Sequence, residues 1–416
     1  MGMKTESDIV ARQYEAWVYP KPEPDLAATV KAGNFDYSDP SLFRRKLWPR
    51  NVEPKDLEIL IAGCGTNQAA MYAYRNPGCH VVGIDVSEAS LGHQKFLKQK
   101  HNLCNLDLYL MSLGDVAELS ADYDLIVSTG VLHHLPDPDA GLRALRDVLR
   151  PQGVMSLMLY GYYRRVGVYM MQEAFRLLGL EQDERGVNLV KDIVANLPAW
   201  HHANSYIREA QDLKYDSGVI DTFLHRQDRA YTVPQVLAFA EDNGLRFQSW
   251  MDNVHYSAEG VFPAGYPVNA VAKNLPREKQ WQLVELIGQS IACHRFLLCH
   301  PERPASDFTL DFSTADEGAD WLRYIPGIRH PVAILQPANL NTGAPARLKR
   351  DLHQFEVSAL ESLWLEEIDG KKTIRSILEA KPSLVQDPSQ RLKLAQAFFA
   401  RMADFDHLQF ELPLRA

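Results

Sequence analysis

The sequence predicts an α/β fold: a doubly wound, mostly parallel sheet of seven-strand type, with a helical cap insertion and a small C-terminal helical domain. Three observations predict it. Short apolar, β-rich runs recur between residues 57 and 161, and their near-continuous apolarity fits strands covered on both faces. Helical patterns lie between these runs, and strand–helix alternation generates right-handed crossovers. Two close glycines, Gly63 and Gly65, end the first run where a helix begins.

The elements follow in order. LEILIA (57–62), CHVVGIDV (79–86), LDLYLMS (106–112), YDLIVST (123–129) and GVMSLMLYG (153–161) read as strands. SEASLGHQKFLKQKH reads as a helix capped by Ser87, with a basic last turn that suits the helix dipole. DPDAGLRALRDVLRP reads as another, with Leu142, Leu145 and Leu149 on one stripe and Arg150-Pro151 ending it. After Tyr160 the rhythm breaks, and 162–229 hold helical pieces joined by linkers rich in acidic residues, His and Tyr. Inserted at the carboxyl side of the sheet, this is where a substrate cap belongs. YTVPQVLAFAEDNGLRFQSW (231–250) then reads as helix, Gly244 stop and strand, and PVNAVAKN (267–274) as one more strand. The expected organisation is an N-terminal lid segment (1–56), a core (57–161 and 230–275), the cap (162–229), accessory elements (276–350) and a C-terminal module (351–416).

Composition excludes some classes. The chain has 416 residues, 46% hydrophobic and 23% charged, with net charge −9. That balance argues against a nucleic acid as main partner, since cationic surface is needed to displace phosphate counterions. No run approaches the roughly 20 apolar residues that span a bilayer, and MGMKTESDIVARQYE lacks the apolar region of a secretory signal. Five cysteines without a CxxC fit a reduced compartment, so a cytoplasmic protein is expected. In CHRFLLCH (293–300) the ligand spacing matches no structural zinc pattern, and the alternation suits a strand; no metal is expected.

The chemistry starts at LIAGCGTNQ. Gly63 and Gly65 let the backbone turn sharply and approach a ligand, while the next helix offers free N–H groups. A pyrophosphate loop wants a third glycine where Gln68 stands, and Asn67 is a residue that tolerates left-handed geometry. Twenty-two residues after Gly63, Asp85 ends the second strand, where a carboxylate can accept two ribose hydroxyls. The alternative is an Asp that caps the following helix.

With GIDVSEASL, YDLIVSTGVLHHLPDP and LRPQGVMSLMLYG in the same order, the sequence resembles the class I S-adenosylmethionine-dependent methyltransferases, nearest their bacterial small-molecule-type branch, with a Rossmann-like core. The resemblance implies S-adenosyl-L-methionine as cofactor. It implies contacts from Ala62, Gly63, Cys64, Gly65 and Asn67, from Asp85 and Val86 at ribose and adenine, and from Ser112 and Leu113 at adenine. Thr129, Gly130 and His133 would line the methyl-transfer side. Ile61 stands where the family often carries an acid.

A sulfonium methyl needs in-line approach by a nucleophile, so much of the catalysis is positioning. A histidine serves as base where the acceptor arrives protonated. His133, His134 and Tyr160 are the candidate catalytic residues, with adjacent histidines expected to point apart and at most one to face the acceptor. Both histidines capping local structure is the competing reading. Tyr14, Trp17 and Tyr19 form either a lid over the cofactor or core packing. YDSGVIDTFLHRQDRAYT gathers Asp216, Asp221, His225, Arg226, Asp228 and Arg229, which read as a solvated loop with local ion pairs, or else as a face that grips a charged substrate. The C-terminal unit is loosely similar to winged-helix, PqqD-like peptide-binding modules.

These readings imply methyl transfer to a nitrogen or oxygen of a small-molecule acceptor. The alternatives are a protein or peptide side chain docked by the C-terminal module, a nicotinamide-dependent oxidoreductase, and a non-catalytic cofactor-binding protein. The sequence does not specify the oligomeric state.

Overall fold

The computed structural model describes residues 3–50, 56–263, 265–329, 332–350, 353–380 and 387–414, with side chains from Val10 onward. The chain divides into two units, one of residues 1–36, 55–250 and 285–302, the other of 37–54, 251–284 and 303–416. No helix among the described residues is long and apolar enough to cross a membrane.

The first unit is built on a sheet of β1 (Glu58–Ala62), β2 (His80–Asp85), β3 (Leu106–Leu110), β4 (Tyr123–Thr129), β5 (Leu149–Gly161), β6 (Ala230–Tyr231), β7 (Arg246–Trp250) and β8 (Cys293–Cys299). Seven strands run in the order β3-β2-β1-β4-β5-β8-β7, and the two-residue β6 pairs with β5. β1 pairs in parallel with both β2 and β4, whereas β8 is antiparallel to β5 and β7. The chain leaves β1 toward β2 and β3 on one side and returns to β4 on the other. That reversal opens a crevice beyond the carboxyl ends of β1 and β4, where such sheets bind ligands. The core strands are apolar on both faces: Ile59, Leu60, Ile61, Leu125, Ile126 and Val127 are wholly buried. Helices cover them as expected, including Glu88–Lys100, whose Ser87 side chain accepts from the Ser90 amide. Gly244, at φ +72°, separates the helix Val233–Asp242 from β7.

Two element assignments differ from expectation. PVNAVAKN forms the helix Pro267–Ala272, not a strand. Proline's fixed φ and missing donor suit the first helical position and spoil a sheet ladder. The last strand of the sheet is instead Cys293–Cys299, with Phe296, Leu297, Leu298 and Cys299 buried. The second difference concerns Leu149: its helix ends at Asp147, and Leu149 opens β5 opposite Tyr123.

Between β5 and β6 the insertion folds as helices Tyr162–Leu177, Glu184–Ala195, Ala203–Ile207 and Asp216–Val219 and a π-helical turn, Ile220–Leu224. Val168, Phe175, Val187, Val190, Ile220 and Phe223 give it a core of its own.

In the second unit β9 (Ile325–Ile328) pairs with β13 (Leu408–Glu411), and β10 (Ala333–Gln336), β11 (Ala346–Arg350) and β12 (His353–Val357) form an antiparallel sheet. Helices Ala359–Glu366, Ile374–Ala380 and Pro388–Asp404 pack Trp364, Ile377, Phe398 and Phe399 into a core with Trp321.

Candidate active site

The glycine bend after β1 is tight for a steric reason. Gly63 and Gly65 sit at φ +78° and +53°, and a Cβ on Gly63 would lie 2.3 Å from Val131 Cγ2. The Gly63 and Cys64 amides both donate to the Ile84 carbonyl, at 2.9 Å each. Asp85 closes the bend: its Oδ2 accepts from the Gly65 amide at 2.8 Å and its Oδ1 from the Ser87 amide at 2.9 Å. Burial raises the Asp85 carboxyl above its ordinary pKa, while backbone N–H groups of Ser87, Gly65 and Val86 oppose the rise. Asp85 is not the cap of the following helix, a place taken by Ser87; its Oδ1 holds the turn that leads into that cap, and its Oδ2 faces the glycine loop.

The other sequence-nominated positions reach the same edge of the sheet. Ala62 ends β1, Val86 follows β2, Thr129 ends β4 and Gly130 turns away at φ +75°. Ser112 caps the short helical turn Leu113–Leu119 beyond β3. Gln68 ties the loop to β4, its Nε2 donating to Thr129 Oγ1 (3.2 Å) and to Asp36 Oδ2 (2.7 Å). Asn67 is not left-handed; it precedes the helix Gln68–Arg75 at φ −147°, because the two glycines already absorb the turn. Gln94, which the sequence did not flag, braces the loop by donating to the Cys64 and Gly65 carbonyls (3.0 and 3.1 Å).

The N-terminal aromatics join the loop to the insertion. Thr66 Oγ1 donates to the Pro20 carbonyl at 3.1 Å, and Pro20 Cδ lies 3.0 Å from where a Gly65 Cβ would stand. From the same segment Tyr14 donates to Asp221 (2.8 Å), Trp17 to the Gln182 carbonyl (3.2 Å) and Tyr19 to Asp212 (3.0 Å). A cavity of about 360 Å³ opens beside Tyr19, lined also by Lys21, Asp212 and Tyr215.

His133 and His134 do not point apart. The turn Leu132–His134 keeps both rings buried, with centroids 4.3 Å apart, and each also packs on Tyr160 (3.9 and 5.7 Å). Neither nitrogen of His133 has a partner, and burial holds its pKa far below the ordinary histidine value. Tyr160 donates to Asp221 Oδ2 at 3.2 Å, and the Arg165 guanidinium lies 3.8 Å from the Tyr160 ring centroid.

The segment expected to be a solvated loop is so at Asp216, Arg226 and Arg229, which are exposed, but its centre, Gly218 to His225, is buried. Asp221 and His225 are 2% and 3% exposed, and Arg165 pairs with Asp228 at 2.7 Å with both side chains enclosed. The residue types were visible in sequence; the π-helical turn that carries them inward has no compositional signal. Burial raises the Asp221 carboxyl and depresses His225.

CHRFLLCH behaves as a strand. His294 Nε2 meets the Tyr231 carbonyl and His300 Nε2 the Leu149 carbonyl, at 2.8 Å each.

Comparison with known proteins gives the same direction. Residues 60–155 match the family described as Methyltransferase domain. A Synechococcus protein of unassigned activity is 29% identical over 316 residues, 73% of this chain and 74% of its own. The trans-aconitate 2-methyltransferase of Deinococcus radiodurans is 34% identical over 121 residues, which cover 26% of this chain and 44% of that enzyme, less than half its length. Among solved structures, PKMT2 from Rickettsia typhi is similar over 94% of this chain and 78% of its own, with a TM-score of 0.66 at 17% identity; that likeness is one of fold.

Proposed function

We propose a specific transfer for this chain, which carries a class I S-adenosylmethionine-dependent methyltransferase domain: the methyl group passes to a nitrogen or oxygen nucleophile of a small-molecule acceptor. One observation carries the reading. The Gly65 amide donates to the Asp85 carboxylate at 2.8 Å, and this closeness of the glycine bend to the strand-terminal acid supports a single nucleoside ligand beside both. A Cβ at Gly63 would strike Val131 and one at Gly65 would press on Pro20, so the bend keeps its shape only with glycine at both positions. Each Asp85 oxygen accepts one backbone N–H and keeps lone-pair capacity for a hydroxyl.

S-adenosylmethionine, when bound, supplies an activated methyl on a sulfonium. Ala62, Gly63, Cys64, Gly65 and Asn67 would hold its amino-acid end, and Asp85 and Val86 its ribose, with Ser112 and Leu113 at the adenine. Thr129, Gly130 and His133 would border the transfer side. The chain's contribution is to orient the acceptor and exclude water, which His133, His134, Tyr160 and the insertion are placed to do. The enclosure around Asp221 and His225 favours a small reacting group.

Methylation of a protein or peptide side chain is the second reading. It is favoured by β10, an edge strand with Ile334 69% and Leu335 51% exposed, a form suited to pairing with an extended peptide.

Isothermal calorimetry tests the cofactor end. S-adenosylhomocysteine should bind in one-to-one ratio and NAD should give no comparable heat; equal or tighter NAD binding refutes the reading.

A further inference from the structure

Asp221 and His225 enter from the insertion, on and just after the π-helical turn Ile220–Leu224. Turns of this kind recur at functional sites because the wider ring redirects side chains. Here His134, Asp221 and His225 are all buried, and their ligand-type atoms lie within 4.8 Å of one another. Two imidazoles and a carboxylate are a metal-binding set by composition. The hydrogen bonds argue for a different use.

Both rings are tied to the backbone of Gln227. Its carbonyl lies 2.8 Å from His134 Nδ1, so that nitrogen carries a hydrogen. Its N–H donates to His225 Nδ1 at 3.0 Å, so that nitrogen carries none. Neutral His225 then bears its hydrogen on Nε2, which is buried without a partner. A metal ion would need the lone pair that this hydrogen occupies. His134 is the opposite case: with Nδ1 donating to a carbonyl, its Nε2 keeps the lone pair. The two rings stack with centroids 3.9 Å apart.

We propose that the Gln227 backbone fixes opposite tautomers on His134 and His225, so that beside Asp221 one ring accepts a proton and the other donates a hydrogen bond. This makes a subsite for an acceptor whose nucleophilic atom carries a hydrogen, and not for a divalent cation. The inference rests on the methyl-transfer reading above. In the step, the acceptor's hydrogen passes as a proton to His134 Nε2, and the electron pair it leaves forms the new bond to the methyl carbon. The pair of the broken C–S bond stays on sulfur, which becomes a neutral thioether, and the imidazolium returns its proton to solvent. The groups facing His134 are His133 and Tyr160, His225 and Asp221, with Arg165 over the Tyr160 ring. Tyr14 and Tyr160 both donate to Asp221, which leaves the carboxylate as an acceptor toward the subsite.

Long-range proton–nitrogen correlation on the full chain with nitrogen-15 histidine tests the tautomers at pH 7.5, with assignments from His134→Gln and His225→Gln. The expected spectrum has hydrogen on Nδ1 of His134 and on Nε2 of His225, unchanged in Asp221→Asn. Hydrogen on Nε2 of His134, or a tautomer that flips in Asp221→Asn, overturns the proposal. Equilibrium dialysis against Zn²⁺ and against Mn²⁺ should leave no stoichiometric ion; one ion per chain that is lost in His225→Gln overturns it too. With methyl-labelled S-adenosylmethionine and a cell extract as mixed acceptor, transfer should rise with pH to a plateau in the wild type. His134→Gln should lower transfer at least tenfold and flatten that rise; an unaltered profile overturns the proton-accepting role. Absence of any transfer by the wild type, at every pH, overturns instead the reading on which the proposal rests.

Discussion

Asp85 shows how one side chain can serve the fold and, on the proposed reading, the ligand. Its two oxygens hold the amides of Gly65 and Ser87, so it fixes the glycine bend and the turn that leads into the next helix. Replacing it with alanine would remove both supports together with the ribose contact proposed above. Each charge-assisted bond is worth roughly 1.5–3 kcal/mol, so Asp85→Ala should weaken S-adenosylhomocysteine binding by about ten- to a hundredfold. Calorimetry checks this, and an unchanged affinity would mean that the carboxylate does not touch the nucleoside. At this scale the sequence was informative where chemistry is local. The positions of the glycines and the strand-terminal acid were legible, because a bend without side chains and a carboxylate one crossover away have few uses, whereas the joint burial of His133 and His134 against Tyr160 was not. The left-handed tolerance of Asn67 goes unused, because Gly63 and Gly65 take the left-handed positions.

Elements differ in how much of themselves they write into sequence. β1 to β5 were legible because an apolar run covered on both faces has no competing explanation at that length. β8 was legible as a strand but not as the final strand of this sheet, since its pairing with β5 and β7 is a long-range choice. PVNAVAKN carried enough apolar residues to resemble a strand, yet its proline decided the matter. The insertion was legible as helical, while its buried charges were not, because charge clusters usually lie in solvent. Arg165 and Asp228 now explain how the helix Tyr162–Leu177 holds the segment after the π-helical turn. Breaking such an enclosed pair costs about 3–5 kcal/mol, and replacing both partners costs far less. Arg165→Ala should therefore speed hydrogen exchange in residues 216–231, and Arg165→Met with Asp228→Leu should restore much of the protection. Equal exchange in the single and double variants would show that the pair does not anchor the segment.

Across the whole chain, acid sensitivity follows from where neutral histidines are buried. In the first unit burial depresses His133 and His225; in the second it lowers His353 to about 4 and His407 to about 2. A base with a depressed folded-state pKa favours its neutral form in the fold, while the unfolded chain takes up a proton below about pH 6.5. Their contribution to stability is therefore whole above that pH and is lost as pH falls toward the folded-state values. Asp252, held below the ordinary carboxylate range by Arg329 and by a two-bond pairing with Arg350 (2.8 and 2.9 Å), adds a further loss below about pH 4. Asp221 in the first unit and Asp404 in the second are raised by burial and act in the opposite sense, their stabilisation fading as pH rises through their folded-state values. In the second unit His353 and His407 act together in this range, with Asp252 adding only in stronger acid, so its protection should drop on acidification. Hydrogen exchange followed by mass spectrometry from pH 8 to 5, corrected for intrinsic rates, checks this in peptides covering 346–350 and 405–411. Protection there should hold from pH 8 to about 6.5 and then decline, with a shallower decline in His407→Phe; protection that stays level or rises down to pH 5 would show that these buried rings do not govern the acid response.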